Sequence, residues 1–173
     1  IFILGGFGSP TGEQILNPHS FNDLIAFSLK NRTFSKLFEV PSIEEDFAFA
    51  NSMVIIPEDR SYYVLGFPIF KYNGYLQLLK GSLDKPVITS LGSPVPYQFL
   101  DIVSYSDLFY CKRNSKFLAV TLQNEAGRSR VRMYTLGFPP DNQINSIPSG
   151  GGRMRFIRYA VMGLLLFLLL AGI

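Results

Sequence analysis

Similar apolar runs recur along this chain at spacings of roughly 52 to 61 residues, and this recurrence limits the fold more than any other feature of the sequence. Residues 46–94 hold one complete unit of four short runs, 49–56, 62–70, 74–81 and 86–91. Each run is rich in Val, Ile, Leu, Tyr or Phe and is closed by turn-forming residues, which is typical of strands joined by hairpins. The unit is therefore predicted to be a four-stranded antiparallel meander.

Both flanks of this unit carry parts of the same pattern. Its second run resembles residues 3–7 and 118–121, and its third run resembles residues 23–27 and 130–134. Several agreeing alignments indicate a repeat, here an array of small sheets. The last sheet is expected to lack its fourth strand. The predicted fold is all-β, with a partial sheet over 1–41, a complete sheet over 46–94 and a partial sheet over 99–138.

The charge of the chain is small, at +3, and basic residues form no stripe before Arg128, Arg130 and Arg132. Such a weak and scattered charge argues against a nucleic-acid partner. Alternate residues of a strand point to the same side. These three arginines are therefore predicted to form one solvated strand face near the end of the array.

Metal-binding and sulfur chemistry have few candidate residues, because Cys111 and His19 are the single cysteine and the single histidine. One cysteine cannot form an intrachain disulfide, and Cys111 is predicted to be a buried strand residue. Zinc sites need several ligands at close spacing, so no zinc site is expected. A calcium site formed by carboxylates is an open alternative without a loop signature, and no metal or other cofactor is predicted. No signal-like segment precedes Ile1, so the chain is expected to be processed or part of a longer protein.

Residues 1–41 carry the most detailed pattern. An apolar run ends in Gly5-Gly6, a long polar loop follows, Asp23 precedes a second apolar run, and Phe34 lies in a third. This arrangement resembles the kelch repeat of β-propellers, in which each repeat is one four-stranded blade and the glycine pair ends the second strand. Phe34 stands where that family usually has tryptophan. The two glycines are predicted to adopt positive φ or to permit a close approach of the backbone.

The resemblance implies a partial β-propeller of about three four-stranded antiparallel blades. Upstream blades missing from this chain would then complete the ring, because a short open array leaves strand edges exposed. The resemblance bears on fold more than on function, since propellers host many unrelated activities.

The composition changes after the last predicted sheet. Residues 139–152 are rich in Gly, Pro and Ser, which predicts a flexible stalk. Residues 159–173 carry no charge, which predicts a C-terminal transmembrane α-helix over 153–173, with the lipid bilayer as a partner through 156–173. As a helix the uncharged run spans about 22 Å of a roughly 30 Å hydrocarbon core, so the helix is expected to be truncated. A buried C-terminal helix is the alternative.

The flank of this segment bears the residues predicted to lie at the membrane interface: Arg153, Arg155, Arg158 and Tyr159. Applied to this flank alone, the positive-inside rule would place the sheets in the cytoplasm. The arrangement of propeller, stalk and helix instead resembles bacterial one-pass sensors. That resemblance implies a single-pass membrane protein whose propeller is periplasmic or extracellular.

No nucleophile with its base, no phosphate-binding glycine loop and no metal cluster stands out, so no catalytic residue is predicted. Glu44, Glu45 and Asp46 could act as paired carboxylates in acid–base chemistry, or could simply be solvated. Binding is favoured, because the longer loops of a four-stranded meander emerge on one side and combine aromatic with polar residues. The predicted ligand-binding residues are His19, Glu44, Asp46, Tyr72, Asn73, Tyr97, Glu125 and Arg128.

The function that follows is a membrane-anchored sensory or ligand-binding propeller. It would bind a glycan or a peptide and pass a signal to a cytoplasmic output domain outside this sequence. Two alternatives remain, an adhesion or assembly scaffold at the membrane surface, and a fragment of a kelch-like carbohydrate oxidase. The oxidase alternative is the weaker one, since the resemblance supplies no copper ligands here.

Overall fold

The computed structural model describes residues 1–13, 16–125, 127–140 and 145–147, and for residues 102, 125 and 145–147 it describes only the backbone. This part of the chain is all-β, with eleven strands in three antiparallel sheets, as the repeat predicts. The strands are β1 Phe2–Gly8, β2 His19–Ser28, β3 Thr33–Glu39, β4 Phe47–Ile56, β5 Ser61–Pro68, β6 Tyr75–Ser82, β7 Ile88–Pro96, β8 Ser104–Cys111, β9 Lys116–Glu125, β10 Arg128–Gly137 and β11 Asn145–Ile147.

Each sheet is built from strands that follow one another along the chain. Sheet 1 contains β1 to β3, sheet 2 contains β4 to β7, and sheet 3 contains β8 to β11. Sheets 2 and 3 each have four strands, in an order that makes every neighbouring pair a hairpin or a short connection. The predicted antiparallel meanders are thus confirmed.

The repeat is visible in the backbone of the turns as well. A single 3₁₀ turn, Pro57–Asp59, joins β4 to β5, and an equivalent turn, Lys112–Asn114, joins β8 to β9. Each turn ends at a left-handed residue, Arg60 with φ 49° and Ser115 with φ 46°. Matching turns set the same pairing register in the two sheets.

Sheet 3 has a fourth strand that the sequence did not predict. Asn145–Ile147 pairs antiparallel with β10, so that Ile147 lies opposite Met133. The expectation that the last sheet lacks its fourth strand, and that residues 139–152 are only a stalk, is therefore wrong for this segment. A strand of three residues is too short to show an alternating pattern, and the open edge of β10 offers it unpaired backbone groups.

The core lies on both sides of sheet 2, and β5 is buried along its whole length. On one side Tyr62 and Val64 pack with Leu24 of sheet 1. On the other side Tyr63 packs against Phe117 of sheet 3, with ring centroids 4.9 Å apart. Sheet 2 is thus enclosed between sheets 1 and 3, which explains why its central strand β5 is apolar on both faces.

The glycine pair of β1 behaves as predicted. Gly5 and Gly6 have φ of 71° and 140°, and β1 changes register against β2 between Leu4 and Gly6. A Cβ at Gly5 would lie 2.6 Å from the ring of Phe49 in β4. Glycine therefore lets β1 approach sheet 2 closely.

The prediction for Cys111 is wrong, because this residue is exposed at the end of β8. Its side chain points away from sheet 2, on the opposite face from buried Leu108. An apolar strand does not by itself show which of its faces is covered.

The predicted transmembrane segment 153–173, with Arg153, Arg155, Arg158 and Tyr159, lies outside the described residues. Among the residues that are described, no helix is long and apolar enough to cross a membrane.

Candidate functional site

One groove of about 440 Å³ opens where the ends of sheets 2 and 3 meet. It lies beside the β5–β6 loop, the end of β7 and the β9–β10 hairpin, and we call it the loop groove. Its lining residues are Tyr72, Asn73, Gly74, Tyr75, Pro94, Val95, Pro96, Tyr97, Gln98, Gln123 and Arg132.

The β5–β6 loop is held against the chain that leaves β7. The Tyr97 N–H donates a hydrogen bond of 3.1 Å to the Gly74 carbonyl oxygen. A Cβ at Gly74 would press on the carbonyl oxygen of Tyr97, so glycine is required for this close approach. The floor of the groove is therefore a fixed backbone junction between two connections.

A charged network fixes the base of the same loop. Glu44, from the β3–β4 connection, accepts hydrogen bonds from the Lys71 ammonium and, at 2.9 Å, from the Tyr75 hydroxyl. Partial burial works against the charge of Glu44, but these hydrogen bonds outweigh it and hold the pKa of Glu44 below its ordinary value. The Lys71 ammonium also lies 5.6 Å from the centre of the Tyr75 ring. Glu44 thus fixes the position of the Tyr75 side chain, which lines the groove.

The opposite wall of the loop groove carries the guanidinium of Arg132, which is held by the side-chain amide of Gln123. Gln123 is 6% exposed, and its Nε2 donates to the Gln98 carbonyl oxygen at 3.0 Å. The Gln123 Oε1 accepts a hydrogen bond of 3.1 Å from Arg132 Nη1. This chain of hydrogen bonds orients the guanidinium and, among the described residues, occupies one of its five N–H donors.

The charge of Arg132 has no partner among the carboxylates that the structure describes. The ion pairs among the described residues do not include Arg132 and join other residues, such as Glu44 with Lys71 and Asp59 with Lys80. A half-buried arginine without a counter-ion favours an anionic group at its surface. The loop groove therefore combines a positive wall with polar amides and an aromatic rim.

Three of the residues predicted to bind a ligand come together in this groove: Tyr72, Asn73 and Tyr97. Tyr72 is 86% exposed at the rim, as an aromatic binding residue would be. Tyr97 is only 4% exposed, and its ring packs against Phe67 with centroids 5.3 Å apart. Tyr97 therefore contributes backbone to the groove and a side chain to the core, so the expectation of an exposed Tyr97 ring is wrong.

The other predicted residues are not gathered around the groove. His19 begins β2 and is exposed, with its ring 4.6 Å from the ring of Phe21. Asp46 is exposed and left-handed, and its carbonyl oxygen accepts a hydrogen bond from the Ile69 N–H at 2.9 Å. Glu44 does not line the groove and instead fixes the β5–β6 loop through its hydrogen bonds with Lys71 and Tyr75.

The β9–β10 hairpin carries the last two predicted residues. Arg128 is exposed at the start of β10 and does not line the groove. Glu125 ends β9, and its side chain lies outside the described part of the chain.

Sequence reasoning missed Gln123 and Arg132. The prediction that Arg132 is a solvated strand residue is wrong, since it is half-buried and lines the groove. A signal for this was present, because Arg132 shares its strand face with Tyr134 and Leu136, which are buried toward sheet 2. An arginine that continues an inward-facing row is missed when only its charge is considered.

A second groove, of about 320 Å³, lies at the junction of β1, β4 and β5. Its walls are mostly apolar, with Phe7, Phe49 and Phe99 among them, and Asn51 and Asp101 supply polar groups. Among the described residues, no group of three or more His, Cys, Asp or Glu side chains is arranged to hold a metal ion. The loop groove therefore offers the richer set of polar contacts.

No family model matches the chain, and no curated protein matches it significantly.

Proposed function

We propose that this chain is the ligand-binding part of a membrane-anchored sensor and that its loop groove binds an acidic oligosaccharide. The observation that carries the proposal is the Arg132 guanidinium, oriented by Gln123 and left without a described counter-ion. A carboxylate on a sugar can accept two parallel hydrogen bonds from such a guanidinium. The exposed ring of Tyr72 offers a stacking surface for a sugar face.

A glycan fits the groove better than an extended peptide does. β7 is an edge strand of sheet 2, where a peptide could add as a further strand. Pro94 and Pro96, however, lie on the stretch of β7 that lines the groove, and proline has no N–H to donate. Strand addition is therefore impaired at this site, whereas side-chain recognition of a sugar is not.

The test is calorimetric titration of the full chain with a trigalacturonate and with its fully methyl-esterified form. These two ligands have the same ring framework and differ in charge. We expect the acid to bind at least ten times more tightly than the ester, because hydrogen bonds to a charged group contribute about 1.5–3 kcal/mol. Equal binding of the two, or binding of neither, would contradict the proposal.

A matched pair of variants assigns the site. Arg132→Gln should reduce affinity for the acid by about ten-fold or more and leave binding of the ester unchanged. Arg113→Gln removes the same charge from the β8–β9 turn, at the far end of sheet 3, and should have no effect. Tight binding of a tri-glutamate peptide in place of the sugar acid would show that the ligand is an acidic peptide.

The remaining parts of the proposal rest on the sequence. We infer that the three sheets are blades of a kelch-like β-propeller, periplasmic or extracellular, that residues 153–173 anchor it in the bilayer, and that a cytoplasmic output domain responds. The succession of equivalent sheets supports the first inference, and the uncharged run 159–173 supports the second. The full chain should remain with membranes after an alkaline carbonate wash, and its release into the supernatant would contradict the anchor.

A further inference from the structure

The outer face of sheet 3 is largely apolar although no described element covers it. We define this face by six apolar residues that point away from sheet 2, Phe109, Leu118, Val120, Leu122, Val131 and Met133; the polar residues Asp107 and Thr135 lie among them. Three of them are strongly exposed, Phe109 at 52%, Val131 at 45% and Met133 at 41%. An antiparallel sheet with one face in water normally alternates apolar and polar residues, so this face is unusual for a solvent-exposed one.

The repeat shows what covers the equivalent face of sheet 2. With the matching turns aligned at Arg60 and Ser115, the central strands β5 and β9 correspond residue by residue. Tyr63, Leu65 and Phe67 of β5 then correspond to Leu118, Val120 and Leu122 of β9.

The next strand pair, β6 and β10, gives the same result. Leu76 and Leu78 correspond to Val131 and Met133, because they occupy the same pairing positions in their sheets. All five sheet 2 residues are buried against sheet 3 or its connections. The outer face of sheet 3 is therefore built like a face that another sheet covers.

Sheet 1 presents the complementary face. Phe2 and Leu4 pack toward sheet 2, so Ile3 between them points away, and it is 41% exposed. Phe34, from the neighbouring β3, is 68% exposed on the same outward side, where its ring packs on Phe27. In sheets 2 and 3, the corresponding side is the one that packs against the preceding sheet.

We infer that the outer face of sheet 3 binds the outer face of sheet 1 from a second copy of this chain. The two copies would stack head to tail, in the order in which sheet 3 follows sheet 2 within one copy. Such an interface uses different surfaces on the two copies, so it is heterologous and can extend into larger assemblies or close into a ring. This inference is independent of the groove and its ligand, and it makes a second copy, in place of the upstream blades expected from the kelch resemblance, the cover of this face.

Two other segments could cover the outer face of sheet 3, and experiments can distinguish both from sheet 1 of a second copy. Sheet 3 could pack on sheet 3 of another copy, or residues 153–173 of the same chain could fold back onto it. The first would create a symmetric contact, and the second would leave the protein monomeric. Stacking by sheet 1 is favoured because it repeats a packing already present twice in the molecule.

Sedimentation velocity of the full chain in mild detergent, over a range of protein concentrations, tests the inference. We expect mass to increase with concentration, and we expect Met133→Glu and Phe34→Glu each to remain monomeric. A one-to-one mixture of the two variants should form dimers and nothing larger, because each copy then keeps one intact face. Leu29→Glu, at a residue 70% exposed in the β2–β3 turn, should associate like the unmodified chain.

Three results would overturn the inference. A monomeric unmodified chain would do so, as would association of Phe34→Glu alone, which indicates contact between two copies of sheet 3. Equal loss of association in Leu29→Glu would show a nonspecific effect of charge. Val131→Thr, a substitution of similar shape that is compatible with a strand, gives a second readout if Met133→Glu fails to fold, and it should weaken association at least three-fold.

Discussion

Sheets 2 and 3 have the same strand order, the same turns and corresponding apolar positions, but among the described residues only sheet 2 is covered on both sides. Leu78 of sheet 2 is 1% exposed, whereas its counterpart in sheet 3, Met133, is 41% exposed. The difference lies in what each sheet packs against and not in the local sequence. A repeated pattern therefore predicts the strands, whereas the position of a sheet in the stack decides how much each residue stabilises the fold.

The largest expected effect comes from shortening this pair of corresponding residues. Leu78→Ala should lower the free energy of unfolding by about 3–5 kcal/mol, because it empties space in a core closed on both sides. Met133→Ala should cost less than about 1 kcal/mol, because its side chain is partly in water. Urea denaturation of both variants at a concentration where the chain is monomeric measures the difference. Equal losses would show that the two sheets are equally covered.

Glycines near the ends of β6 and β10 give a second contrast. A Cβ at Gly81 of sheet 2 would overlap the ring of Tyr62, whereas a Cβ at Gly137 of sheet 3 meets nothing within 4 Å. Gly81→Ala should therefore cost about 1–3 kcal/mol of unfolding free energy. Gly137→Ala should be neutral, and thermal melting of the two variants compares them directly. A harmless Gly81→Ala would mean that Tyr62 is free to move aside.

The charged network behind the loop groove gives a pH-dependent effect. The folded state lowers the pKa of Glu44 from its ordinary value of 4.5, so Glu44 contributes stability above that pH, and this contribution is lost as pH falls through the lower, folded value. Glu44→Gln should reduce the free energy of unfolding at pH 7 and make that free energy fall less steeply as the pH is lowered. Glu45→Gln, an exposed neighbour, serves as the control. Denaturation midpoints between pH 7 and pH 3 check this, and parallel curves for Glu44→Gln and the unmodified chain would contradict it.

The smallest effect concerns a hydroxyl enclosed between sheets 1 and 2. Tyr62 is fully buried, its hydroxyl has no hydrogen-bond partner among the described residues, and burial raises the pKa of Tyr62 to about 12. Sheet 3 has Phe117 at the corresponding position. Tyr62→Phe should leave the unfolding free energy unchanged or raise it by up to about 1 kcal/mol. In an alkaline titration followed by tyrosine absorbance, the variant should lack the step that belongs to Tyr62. A destabilised variant would indicate that the Tyr62 hydroxyl has a hydrogen-bond partner.

Much of the fold follows from the sequence, because strand runs and turns are local signals. The runs 49–56, 62–70 and 74–81 fall close to β4, β5 and β6. β7 extends to Pro96, beyond the predicted end at 91, although Gly92 and Pro94 are residue types that commonly end a strand. Gly92 instead adopts φ 66° beside a register shift, and proline is tolerated on an edge strand.

The site was less predictable, since it depends on how sheets pack on one another. Tyr72 and Asn73 could be found from turn chemistry, because a polar loop at a strand end is exposed wherever the sheet lies. Arg132 could not be assigned from charge alone, because its burial depends on the loop of another sheet. The burial of Tyr97 was not predictable for the same reason, since its ring is covered by Phe67 of β5.

Hydrogen exchange of the native chain, followed strand by strand, tests the central claim that sheet 2 is enclosed between its two neighbours. The amides of β5 and β6 should exchange only through global unfolding, and those of β10 should exchange faster through smaller openings. If β10 were protected as strongly as β5, or more strongly, sheet 2 would not be the enclosed centre of the molecule.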